Sequence, residues 1–169
     1  MQSVETVAQV IQTAQQSFTM EEIKSVYLLN FGRFVEWPPL ALKVPPAPFR
    51  ICIVGADPVR EQLDALLRGQ EVKQHKIEVQ RFSTRAKLSD CQIAYINASG
   101  PEQTSEILLR LKSSPILTVG DAPYFLGSGG MIQFKLKADT LRFIINLRAA
   151  DRAQLKVSSR LLQIAESVL

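Results

Sequence analysis

The chain has 169 residues, 46% of them hydrophobic and 21% charged, with a formal net charge of +4 and a mean hydropathy of +0.05. Those values describe one globular domain over residues 1–169 and exclude disorder, collagen and coiled coil. No run approaches the ~18 uninterrupted apolar residues of a membrane span, which predicts a soluble chain without direct membrane insertion. Basic residues scattered from Lys24 to Arg160 predict a solvated mixed-charge surface rather than a nucleic-acid face.

Val4, Val7, Val10, Ile11 and Ala14 recur at helical spacing and predict an N-terminal amphipathic helix over 4–16, within residues 1–17. Thr19 followed by Glu22 is a capping box, so a second helix is expected over 20–35, stopped by Trp37-Pro38-Pro39. Residues 49–147 are expected to form the sheet. Phe49–Gly55 is nearly all apolar, the pattern of a strand buried on both faces. Asp57 caps the next helix with Pro58 at its first position, and Gly69 ends it.

Ile77 and Val79 mark a second strand, Gln92–Ile96 a third, 102–112 a helix and 115–119 a fourth strand ending in Gly120-Asp121. This β-α-β-β-α-β grammar predicts an α/β fold, a Rossmann-like, largely parallel sheet flanked by helices. Beyond Gly127-Ser128-Gly129-Gly130, two alternating runs from Ile132 to Leu136 and from Leu141 to Leu147 predict a C-terminal antiparallel hairpin. Leu155, Leu161, Leu162, Ile164, Ala165 and Val168 then predict a last helix over 154–168.

One histidine, His75, and two cysteines are too few for zinc sites of the usual composition, and the acids sit at helix starts or on polar faces. The sequence therefore predicts no catalytic residue, no metal and no cofactor. Gly55-Ala56-Asp57-Pro58 lacks the spaced glycines of a dinucleotide fingerprint, and the 127–130 glycine loop lacks the Gly-Lys-Ser/Thr of a P-loop. Trp37, Pro38, Tyr124 and Phe125 lie in apolar loops and are the candidate partner contacts, although for Trp37 the core is favoured because large aromatics are mostly buried. Cys52 and Cys91 lie near the starts of strands that a 2-1-3 order makes neighbours. Geometry alone divides evenly between a disulfide and two buried thiols. MQSVETVAQV is not an intact signal peptide, so the chain is either cytosolic or the mature form of an exported protein.

Several segments taken in order resemble the YfiR/HmsC family. They are Lys24-x2-Tyr27-x2-Asn30-Phe31-x2-Phe34-x2-Trp37-Pro38, Phe49-x-Ile51-Cys52-Ile53-x-Gly55, Asp90-Cys91-x-Ile93 and Leu117-Thr118-Val119-x-Asp121. Gly129-Gly130-Met131-Ile132, Arg142-Phe143-x-Ile145-Asn146 and Leu155-x-Val157-Ser158-Ser159-x-Leu161-Leu162-x-Ile164-Ala165 complete the set. The resemblance implies a periplasmic regulator, not an enzyme, that binds the periplasmic part of an inner-membrane diguanylate cyclase (YfiN-like) and represses it, lowering cyclic di-GMP and limiting biofilm.

It also implies an outer-membrane lipoprotein antagonist (YfiB-like), a Cys52–Cys91 disulfide, and a signal peptide already removed. Some members carry a second cysteine pair near the glycine loop, which this chain lacks. The sequence leaves room for a homodimer through the N-terminal helix or an apolar loop. The alternative reading is a periplasmic small-molecule sensor with its ligand near Gly55 or Gly120-Asp121, beyond the carboxyl ends of the strands.

Overall fold

A computed structural model describes residues 18–169. The helix expected over 4–16 lies outside those residues. Helix α1 spans Met20–Phe34, and its capping box forms, with the Thr19 hydroxyl accepting from the Glu22 N–H at 3.3 Å. It runs into a two-residue strand, β1 (Val35–Glu36).

Four parallel strands make the centre of the main sheet: β2 (Phe49–Gly55), β4 (His75–Phe82), β5 (Ile93–Asn97) and β6 (Leu117–Gly120). Helix α2 (Arg60–Leu67) follows β2, and α3 (Pro101–Leu111) joins β5 to β6. A short β3 (Glu71–Val72) adds antiparallel to β4, while β7 (Ile132–Lys137) and β8 (Thr140–Ile145) form the expected hairpin, with β7 parallel to β6. The eight-stranded order is β10-β8-β7-β6-β5-β2-β4-β3, where β10 is Ser167–Val168. Its β4-β2-β5 portion is the 2-1-3 arrangement read from the sequence.

The apolar run of β2 is explained by burial on both faces. Ile51 and Ile53, with Ile93 and Tyr95 of β5, join a core under α1 and α2 that includes Tyr27, Leu28, Phe31 and Leu63. The alternate residues Cys52, Val54, Ala94 and Ile96 pack on the other face with Ile107, Leu108 and Leu111 of α3. Strand periodicity alone divides the residues this way. Tyr27, Phe31, Phe134 and Phe143 pack with ring centroids 5.1–6.0 Å apart, and the buried Tyr27 hydroxyl donates to the Leu141 carbonyl at 2.9 Å.

Two expectations need correction. The helix starts at Arg60, not at Pro58, because Asp57 Oδ1 accepts from both the Val59 and Arg60 N–H groups (3.1 and 2.7 Å) and Arg60 has a φ of 49°. Nor is 154–168 one helix. A short α4 (Leu147–Arg152) is capped by the Asn146 side chain, and the left-handed Gln154 (φ 62°) then turns the chain. Lys156–Val157 becomes β9, pairing antiparallel with β1, before α5 (Ser159–Ile164) and β10. Leu155 and Leu161 are buried as expected, but distant strand pairing overrides their helical spacing.

Candidate functional site

At the start of the parallel strands, one buried amide gathers the chain. Gln92, 4% exposed, sits between Cys91 and β5. Its Oε1 accepts from the Arg50 N–H at 2.6 Å, its Nε2 donates to the Ala41 carbonyl at 2.9 Å, and its own carbonyl accepts from Trp37 Nε1 at 3.0 Å. The indole also packs edge-on against Phe49, with centroids 5.1 Å apart. These contacts fasten the loop 37–48 to the sheet rim.

A fastened loop cannot collapse, and its apolar side chains stay where the backbone puts them. Leu40 is 96% exposed and Val44 83%. The far end is held by His75, whose Nδ1 lies 2.6 Å from the Ala47 carbonyl. A carbonyl needs a donor, so this nitrogen carries the proton and the ring serves as a structural clasp. Removing the Gln92 amide leaves the Arg50 N–H and Ala41 carbonyl without partners. Gln92→Ala is therefore expected to cost about 2 kcal/mol and to shift emission of Trp37, the chain's one tryptophan, to longer wavelength. Unchanged emission in a destabilised variant would show that the loop stays seated without the amide.

Beside this clasp, Cys52 and Cys91 are joined by a disulfide, with Cα atoms 6.0 Å apart. Both sulfurs lie in the core under α3.

At the opposite rim, the crevice that would hold a ligand in many α/β sheets is occupied by the chain itself. The Ala56 N–H donates to the Asn97 carbonyl at 3.0 Å, and a Cβ on Gly55, at φ +84°, would strike that same carbonyl. Gln103 bridges Ser99 and Thr84 across the remaining gap. Burial alone would raise the Asp57 carboxyl, but hydrogen bonds from Arg81 and from the Arg60 and Val59 N–H groups outweigh it and hold it below its ordinary value.

Asp121 is likewise engaged. Lys24 of α1 reaches its Oδ2 at 3.0 Å, and Tyr95 donates to Oδ1 at 2.7 Å. Burial first, and the Asp121 charge second, push the Tyr95 phenol upward, so it remains a donor. At Asp121 both carboxylate oxygens are engaged, whereas beside Gly55 the buried Asn97 Nδ2 has no partner among the described residues. Just before the glycine loop, the Gln133 side chain accepts from the Leu126 N–H at 3.1 Å.

The four candidate contact residues do not converge. Trp37 and Pro38 lie at the rim where the parallel strands begin, and Tyr124 and Phe125 lie beyond the end of β6. Phe125 is fully buried between Gly120 and Gly130, so as a partner contact it is corrected to a core plug. Trp37 is half-buried and acts as an anchor, in keeping with the core reading, while Pro38 and Tyr124 are part-exposed. Leu40, Val44 and Gln92 were not singled out by sequence. Leu40 lay inside the apolar Trp37–Leu40 segment and was the available signal; nothing local distinguishes Gln92.

Among the described residues, no helix is long and apolar enough to cross a membrane. A conserved domain protein from Vibrio cholerae has a similar fold, with a TM-score of 0.59 at 13% identity. The match covers 90% of this chain and 61% of that one, so the chain spans about three-fifths of that protein's length. No curated protein sequence matches the chain. The family model described as YfiR/HmsC-like matches residues 21–166, which takes in α1, both rims, the disulfide and the hairpin, and the chain belongs to that family.

Proposed function

We propose that the protein is a periplasmic repressor that binds the periplasmic domain of an inner-membrane diguanylate cyclase, lowers cyclic di-GMP and limits biofilm. Membership of a family of regulators supports this reading. The observation that carries it is the pair Leu40 and Val44, held in water on a loop that Gln92, Trp37 and His75 fasten at both ends. Apolar side chains fixed in that position suit contact with another protein surface, with little ordering entropy left to lose on binding.

Repression then works by occupancy. The protein binds an inactive conformation of the cyclase better than an active one, and that difference in affinity sets the shift. Pro38 flanks the docking loop. Tyr124, at the other rim, suits a second contact, and a YfiB-like lipoprotein or a second copy of the chain would act by competing for either surface.

The test measures cellular cyclic di-GMP in a strain lacking the gene, restored with an exported wild-type copy or with Leu40→Asp, Val44→Asp. Both substitutions are exposed, so stability should stay within about 0.5 kcal/mol. The wild-type copy is expected to lower the nucleotide, and the double variant to leave it near the deletion level. A variant that represses fully would remove the loop from the interface; a wild-type copy without effect would end the regulator reading.

A further inference from the structure

A hollow of about 360 Å³ lies between α3, the glycine loop and α4, and neither Trp37 and Gln92 nor Gly55 and Asp121 line it. One wall is a stripe of α3 and its C-terminal cap, Ser105, Leu108, Leu109 and Lys112, at the i, i+3, i+4, i+7 spacing of one helix face. Met131 contributes apolar surface, and Leu109 stands at 72% exposure beside it. Facing them are Gly127, Ser128 and Gly129, and Arg152 at the end of α4. Gly129 has φ +101° and open space where a side chain would be, so the loop backbone is bare toward the hollow.

The charges decide what would fit. Lys112 and Arg152 are the charged residues of this wall, both are positive, and neither side chain makes an ion pair or hydrogen bond among the described residues. Lys24 is matched by Asp121, Arg50 by Glu78, Arg81 by Asp57 and Asp64, and Lys137 and Arg142 by Glu166, whereas other cations unpaired among the described residues, such as Lys43, Arg148, Lys156 and Arg160, line none of these hollows. Two other hollows carry their own acids, Asp64 and Glu71 in one and Glu102 and Glu106 in the other. A third has Lys87 and Arg110, but Arg110 is spent on the Thr84 carbonyl at 2.7 Å. The hydroxyls of Ser105 and Ser128 add neutral donors without partners among the described residues.

We propose that this hollow binds a small amphiphilic anion: a carboxylate or phosphate monoester held by Lys112 and Arg152, with a short apolar chain or ring against Leu108, Leu109 and Met131. Its size falls within the roughly 300–1,000 Å³ of small-molecule sites, and charge-assisted hydrogen bonds supply the selection for an anion. The inference stands apart from the cyclase reading, because binding is measured on the isolated protein.

The test follows backbone amide shifts of the isotopically labelled full chain on titration with octyl phosphate, octanoate, inorganic phosphate and octyltrimethylammonium, each below its micelle concentration. Octyl phosphate and octanoate are expected to saturate shifts at Ser105, Leu109 and 127–129. Inorganic phosphate should bind at least tenfold more weakly, and the ammonium amphiphile not at all. Lys112→Gln, Arg152→Gln should raise Kd for octyl phosphate at least tenfold at unchanged Tm. Equal binding of the ammonium compound, equal binding of bare phosphate, or wild-type affinity in the double variant would each overturn the proposal. Phosphatidylglycerol vesicles supply the last arm: capture by vesicles through these residues without binding of the monomeric anions would replace a free ligand with a lipid surface and overturn it too.

Discussion

Cys52→Ala, Cys91→Ala is expected to unfold at a temperature roughly 10 °C below the wild type. The bond spans 39 positions, and closing a loop of that size stabilises by about 4 kcal/mol in the chain-entropy model. For a domain of this size, 1 kcal/mol moves Tm by about 2–4 °C. Both residues are buried among apolar neighbours, so alanine keeps the packing nearly intact and introduces no unsatisfied hydroxyl. Dithiothreitol should reproduce the shift in the wild type. Because Cys91 adjoins Gln92, reduction should also move Trp37 emission toward that of Gln92→Ala before global unfolding begins. If the melting temperature holds once free thiols are counted, the bond contributes nothing to stability.

Phe125→Ala should be comparably damaging, at about 3–5 kcal/mol for emptying a fully buried aromatic site. The stronger form of the prediction concerns its neighbours. A Cβ on Gly120 or on Gly130 would land on the Phe125 ring, so Gly120→Ala in the wild type should cost about 1–3 kcal/mol through overpacking. With the ring removed, the added methyl meets open space and part of the cavity is refilled. A urea-denaturation cycle over wild type, the two single variants and the pair should therefore give a favourable coupling above about 1 kcal/mol. Strict additivity would mean that the ring and Gly120 do not share the space.

What could be read in advance follows from what is local. β2 was legible because a strand buried on both faces takes apolar residues at nearly every position, and the Thr19–Glu22 cap is a four-residue pattern complete in itself. Residues 156–157 were illegible for the opposite reason: their partners are Val35 and Glu36, most of the chain away, and Ser158 and Gln154 looked like ordinary helix-surface residues. In the candidate site, the sequence drew attention to the loop of Trp37 and Pro38 but not to the side chains that the fold leaves exposed on it. Trp37 finds an acceptor and an aromatic neighbour and turns inward, leaving the smaller Leu40 and Val44 outside. Tyr124 and Phe125 are indistinguishable by type, yet Gly120 and Gly130, each five positions from Phe125, vacate the volume that its ring fills.

The pairing of β1 with β9 also sets a schedule. Val35 leaves the ribosome early and Val157 late, and β10 lies later still at the sheet edge. Until residues 156–168 emerge, α1 has a core beneath it but the strand at its end lacks its partner, and β8 lacks its outer neighbour. Contacts of such long sequence separation form slowly. The end of α1 and the outer edge of β8 are therefore the last parts of this fold to close, and the sheet edge stays open to other strands until they do.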